Sequence, residues 1–338
     1  MLVRLLHNIS YKGVLHLTEK IKIEMAPLEG STTSFFRSAQ SRHFTAPERY
    51  FTPFIAPTQH HCFTTRELNE ILPEKNEGLC VVPQLIGHNA DDFLWAAGEL
   101  KAMGYDTVNL NLGCPSPTVT KKKKGAGLLG DLPMLTDFLD RIFMSSPVLI
   151  SIKTRVGRFD YSEAEPLAEL FSRYPVAELI VHPRLEKDFY KGDVSSEAFE
   201  IFKHYSPDNI SFNGNLFNRN DVLAFAEKNK DVSAVMCGRG FVCNPKLAGE
   251  INGEPPLTKD EFISFYEDFY SVTVQRLNTE NQLLLHMKEY WAFWQKIFES
   301  DDGAVKKIYK SKTKTQYEIA VRNLFSSSEI KENAGFAP

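Results

Sequence analysis

Short apolar runs of five to seven residues recur along the first 240 positions, at 21–26, 50–55, 80–85, 106–112, 147–153, 177–182, 209–213 and 232–238. Their length and their β-branched and aromatic content predict eight strands. Most of the intervening segments have helical period. "ADDFLWAAGELKAMG" and "LPMLTDFLDRIFMS" are the clearest, while "TTRELNEIL", between the second and third runs, is less regular. Eight strands alternating with helices predict an α/β fold with a parallel sheet. The count favours a closed (β/α)8 TIM barrel over an open doubly wound sheet. No Gly-x-Gly-x-x-Gly follows any run, which weighs against a dinucleotide-binding sheet.

The pattern changes near residue 256. "PLTKDEFISFYEDFYSVTVQRL" and "QLLLHMKEYWAFWQKIF" keep the helical period without further strands. The expected organisation is an N-terminal extension at 1–20, a barrel at 21–255 and a small all-helical domain at 256–330. Residues 1–20 are mildly basic but lack the small-residue cleavage site of a secretory signal. Residues 303–322 carry Lys306, Lys307, Lys310, Lys312, Lys314 and Arg322 against Glu318 alone. That bias, with Tyr309 and Tyr317 close by, suits a nucleic-acid-binding face better than a merely solvated one.

Composition narrows the picture. The 338 residues are 43% hydrophobic, ample for a large core, and the net charge of −4 confines any nucleic-acid contact to local patches. No apolar run is long enough to span a bilayer. The five cysteines form no Cys-x-x-Cys pair, so neither a disulfide framework nor a metal site is expected, and the cytoplasm is the expected compartment. "QHHCF" reads as a loop anchored by Phe63 rather than as a metal cluster.

Barrel enzymes place their chemistry at the C-terminal ends of the strands. Alternation within "VNLNLGCP" sends Val108, Leu110 and Leu112 towards the helices and Asn109 and Asn111 into the barrel. Cys114 then lies in a loop over the mouth, shaped by Gly113 and Pro115. Gln84 closes the third strand, Lys153 points inward from "ISIKTR", and "LIVHPR" ends on His182 and Arg184. "SFNGN" ends on Asn213, Gly214 and Asn215; "VMCGRG" ends on Gly238 and Arg239. Glycines admit a phosphate to backbone N–H groups and arginine adds charge-assisted bonds. Together these ends describe a cradle for a mononucleotide, and flavin mononucleotide (FMN) fits it.

The segments "MAPLEGSTTSFFR", "PQLIG", "GYDTVNLNLGCPSPTVTKKKKGAGLL", "SIKTRVG", "VHPR", "FYKGDV", "NGN" and "CGRGFVCNPKL" run in order from about residue 21 to 250. This set resembles the tRNA-dihydrouridine synthases, and the helical end resembles that family's tRNA-binding domain. The resemblance implies FMN-dependent, NADPH-driven reduction of the C5=C6 bond of particular uridines in tRNA, by a monomer. It implies that Pro27, Leu28 and Glu29 line the flavin, that Gln84 and Lys153 hold its ring edge with His182 nearby, and that Asn213, Gly214, Asn215, Gly238 and Arg239 take the phosphate side. Hydride passes from flavin N5 to C6 of uracil, and Cys114 supplies the proton to C5. A thiol of ordinary pKa, about 8.5, is protonated at neutral pH and can act as a general acid. The run Lys121, Lys122, Lys123 and Lys124 should therefore point away from the sulfur. With Lys306, Lys307 and Lys310, and with Asn111, Arg37 and Arg184 closer in, that run is expected to hold the tRNA. Leu28, Thr33, Asn109 and Asn215 depart from the family's usual methionine, aspartate, aspartate and acidic residue. Two other functions share parts of this pattern: a small-molecule flavin enzyme of the dihydroorotate dehydrogenase kind, and a non-catalytic tRNA-binding protein that keeps FMN structurally.

Overall fold

The computed structural model describes residues 21–206, 208–299 and 302–337, so the expected extension at 1–20 lies outside the described residues. Nine parallel strands form one sheet: β1 Lys22–Met25, β2 Arg49–Phe51, β3 Val81–Val82, β4 Gln84–Leu85, β5 Thr107–Leu112, β6 Leu149–Gly157, β7 Leu179–Leu185, β8 Ile210–Asn213 and β9 Ala234–Cys237. Their order is β3-β2-β1-β9-β8-β7-β6-β5-β4. The two ends of this order are consecutive in sequence. Pro83 lacks an N–H and splits the third predicted strand into β3, which pairs with β2, and β4, which pairs with β5. The Ile55–Leu85 bridge and the Asn109 N–H bond to the Pro83 carbonyl close the ring, so the barrel has eight strand positions, as expected.

Alternation gives the barrel interior three layers. At the bottom, Glu24, Arg49, Glu178 and Ser211 form a charged network. Above it, Ala26, Phe51, Val82, Ile180 and Met236 make a small apolar plug. The top layer is polar and includes Gln84, Asn111, Lys153, His182 and Asn213. The outward residues Val108, Leu110 and Leu112 join a larger core between strands and helices.

Four helices follow the barrel, Lys259–Arg276, Glu280–Trp294, Asp302–Lys310 and Lys314–Ser327. They share the larger core with the barrel. Phe36, on the helix Ser34–His43, stacks on Tyr290 at 5.8 Å and meets Phe265 edge-on. Trp294 donates its indole N–H to the Val242 carbonyl at 3.0 Å. Among the described residues no helix is long and apolar enough to cross a membrane.

Two cations and a tyrosine expected to serve tRNA binding are buried. Arg37 is fully buried. Its guanidinium donates to the Thr32 carbonyl, the Glu70 carboxylate and carbonyl, and Asn76. It therefore ties the first helix to Glu70 and is not a tRNA contact. Arg184 is also buried, in the lining of the barrel mouth. Tyr317 lies inside the helical core, bonded to Tyr266 and Trp291 at 2.8 Å each. Tyr309, Lys306, Lys307 and Lys310 are exposed.

Candidate active site

A cleft of about 530 Å³ opens at the C-terminal ends of the strands. Its lining includes Pro27, Leu28, Glu29, Gln84, Asn111, Cys114, Lys153, His182, Arg184, Asn213, Gly214, Asn215, Gly238 and Arg239. The strand-end residues inferred from the alternation thus come together in one cavity, of a size that suits a nucleotide cofactor.

A relay of amides shapes one wall. Asn111 accepts the backbone N–H groups of Gly113 (3.0 Å) and Cys114 (2.7 Å) on its side-chain oxygen. Its amide nitrogen donates to Gln84 at 2.7 Å. Gln84 donates to Asn109 (2.7 Å), and Asn109 donates to Ser151 (2.8 Å). Asn109 accepts at its oxygen and donates at its nitrogen, so it carries the relay onward in one direction, whereas a carboxylate there could only accept. Asn111, expected to touch RNA, serves first to fix the loop that carries Cys114.

The same loop is held from below. Gly125, at φ +56°, lets Ala126 N–H bond the Cys114 carbonyl at 3.0 Å. A Cβ there would meet that carbonyl at 2.8 Å. Arg155, which the sequence reading passed over, bonds the carbonyls of Gly113, Leu185 and Phe189 and so joins the Cys114 loop to the loop after β7. Burial pushes the Cys114 thiol above its ordinary pKa; a backbone N–H from Ser116 opposes this and Glu29 adds to it. Arg155 and Lys153 pull the other way, and the main influences on the sulfur include no member of the run Lys121–Lys124. Lys121 and Lys122 are exposed, Lys123 pairs with Asp131 at 2.9 Å, and Lys124 is half-buried.

The opposite wall is cationic. Lys153 donates to Asn213 at 2.6 Å, and burial, reinforced by Arg155, pulls its pKa down to about 7. Arg184 donates to Asn215 at 2.8 Å and to the Gly192 carbonyl, and meets His182 Nε2 at 3.0 Å. A guanidinium cannot accept, so His182 Nε2 carries the lone pair and Nδ1 the proton. Burial and the surrounding cations hold His182 well below its ordinary pKa, which agrees with a neutral ring. Arg239 lies 4.9 Å from the centroids of Phe217 and Phe336 and 5.5 Å from that of Tyr190. Neither Lys153, Arg184 nor Arg239 makes an ion pair among the described residues. The buried Nε of Arg184 has no partner. A buried arginine and two half-buried cations without ion pairs, with an orphaned N–H, fit an anion held at this end. Asn215, at φ +30°, takes the left-handed turn that asparagine tolerates, and its amide oxygen receives Arg184.

A parallel barrel with a cationic cleft at its strand ends and a half-buried thiol on its wall fits the class of barrel oxidoreductases. Comparison with known proteins narrows it: the family model "Dihydrouridine synthase (Dus)" matches residues 24–329, and the chain belongs to that family, whose members are flavin-dependent oxidoreductases. A tRNA-dihydrouridine(16) synthase of Neisseria meningitidis serogroup B is 25% identical over 331 residues, 93% of this chain and 97% of that protein. A probable tRNA-dihydrouridine synthase of Staphylococcus aureus is 28% identical over 228 residues, 65% of this chain and 68% of that one. Among solved structures, a morphinone reductase variant matches with a TM-score of 0.51 at 11% identity, covering 68% of this chain and 86% of its own. A variant of NCR from Zymomonas mobilis matches at 0.50 and 18%, covering 73% and 92%. At these identities the structural matches support the barrel fold.

Proposed function

We propose that the protein is a tRNA-dihydrouridine synthase that binds FMN in the mouth and reduces the C5=C6 bond of a uridine, with NADPH as reductant. The observation that carries this reading is a half-buried thiol, its pKa raised by burial, in one cleft with Lys153, Arg184 and Arg239, none of which makes an ion pair among the described residues. Lys153 and the donors around it suit the polar edge of the flavin. Arg184, Arg239 and the glycines at 214 and 238 suit its phosphate. When bound, FMN supplies hydride to C6 of uracil.

The chain's own work is to hold and place. Asn111 and Gly125 fix the Cys114 loop, so that the thiol can give its proton to C5. A raised pKa keeps that proton on sulfur at neutral pH, as a general acid needs and a nucleophile does not. The target base must leave its stack, at a cost of a few kcal/mol. Exposed Lys121, Lys122, Lys306, Lys307 and Lys310 are the cations proposed to grip the backbone and offset that cost. A tRNA substrate and five cysteines without a Cys-x-x-Cys pair support the cytoplasm as its compartment.

The test is mass spectrometry of tRNA from a strain lacking this chain, in an organism without a redundant paralogue. Position 16 is the first to map, because relatives matching nearly the whole chain carry that specificity in their names. Loss of one dihydrouridine supports the reading, and unchanged tRNA overturns it.

A further inference from the structure

Residues 330–336 leave the last helix and return to the barrel mouth along a defined path. Ile330 bridges Phe298, and Lys331 N–H bonds the Ile297 carbonyl at 2.9 Å. The buried Ala334 accepts from Asn244 at 3.1 Å, and Phe336 N–H bonds the Phe217 carbonyl at 3.2 Å. Gly335 passes so close to that same carbonyl that any Cβ would collide with it. The Phe336 ring packs on Phe217 at 5.3 Å and on Phe293 at 6.1 Å. Phe217 belongs to the loop after β8, next to Asn213–Asn215. The two rings form a V beneath the Arg239 guanidinium.

Arg239 has neither a hydrogen-bond partner nor an ion pair among the described residues, so these rings and Tyr190 are what orient it. Aromatic faces attract the guanidinium without using its N–H groups, and the whole fork stays available to an anion. We propose that Phe336 is a positioning residue for the cofactor phosphate: the segment 334–336 completes the phosphate end of the barrel mouth by holding Arg239 in place. This rests on the FMN reading given above. It also makes cofactor retention depend on the docking of the helical region, because the segment is threaded through Phe293, Ile297 and Phe298.

The test uses purified full-length holoenzyme and reads flavin, not turnover. FMN release on dilution is followed by the recovery of flavin fluorescence, and riboflavin, which lacks the phosphate, is loaded in parallel. Phe336→Ala is expected to speed FMN release about tenfold and to leave riboflavin release unchanged, within the range of one cation–π contact. In an Arg239→Ala background the same change should add nothing. Equal loss of both flavins, or no loss of either, overturns the proposal while leaving the FMN reading intact. Phe336→Leu keeps apolar volume without the ring face. It should release FMN faster at an unchanged melting temperature, and wild-type retention in this variant also overturns the proposal. A wild-type protein that carries and takes up no FMN instead overturns the cofactor reading itself.

Discussion

The two ends of the barrel interior are both charged, but only one balances its own charge. At the bottom, Arg49 serves two carboxyl groups, with its Nε 2.8 Å from Glu24 and a terminal nitrogen 2.7 Å from Glu178. Burial, with Glu178 beside it, raises Glu24 to about 8, so Glu24 keeps its proton at neutral pH and Arg49 answers the charge of Glu178. At the top, Lys153, Arg155, Arg184 and Arg239 crowd together without an ion pair. A buried charge that is paired belongs to the fold, and one that is unpaired awaits a ligand. The contrast separates structural from functional charge within one ring of strands.

The largest expected effect is at the mouth. Cys114→Ala should lower dihydrouridine formation by about 10²–10⁴-fold, the usual worth of a positioned general acid, while the purified protein stays yellow. Absorbance near the flavin band, measured beside turnover on unmodified tRNA, checks both halves. A colourless variant would make the thiol a structural group. Next in size, Arg49→Leu leaves Glu24 and Glu178 without their cation and should cost about 3 kcal/mol of stability, read from denaturant unfolding. Lys153→Met should do the reverse in flavin-stripped protein: stability holds or rises, and FMN retention falls. Equal destabilisation by both variants would break the distinction between the two ends.

The strand count and most of the mouth were legible in the sequence because both follow from period-two alternation and from strand ends, which are local properties. Gln84, Lys153, His182 and Asn213 needed only their register. Arg37 was not legible: its neutralising partner, Glu70, lies 33 residues away, and a lone arginine in a helix reads as exposed. Tyr317 failed for the same reason, with partners at 266 and 291. Arg155 sits two residues beyond Lys153 on the same inward face, so the alternation already held the signal for it. Phe336 gave none, since an aromatic near the end of a polar tail acquires meaning only when the chain folds back on Phe217. The bottom network was written in the inward positions Glu24, Arg49 and Glu178, but its pairing depends on three strands that are distant in sequence.

The comparison is also open to test through pH, because the two ends have opposite slopes. The Glu24 carboxyl is raised from 4.5 to about 8, so the folded state binds its proton more tightly than the unfolded state does. Its contribution is present below pH 4.5 and is lost as pH rises through 8. Lys153 is lowered from 10.5 to about 7, so the unfolded state binds that proton more tightly. Its contribution is absent below pH 7 and grows until pH 10.5. In flavin-stripped protein, Glu24→Gln should flatten the fall between pH 4.5 and 8, and Lys153→Met should flatten the rise between pH 7 and 10.5. Bound FMN should suppress the second limb alone, because the polar ring edge accepts a hydrogen bond from protonated Lys153 and so restores its proton. Urea midpoints across pH, with and without FMN, measure all three. If FMN changed the Glu24 limb as much as the Lys153 limb, the two ends would be one electrostatic unit, and the unpaired cations would no longer mark a ligand site.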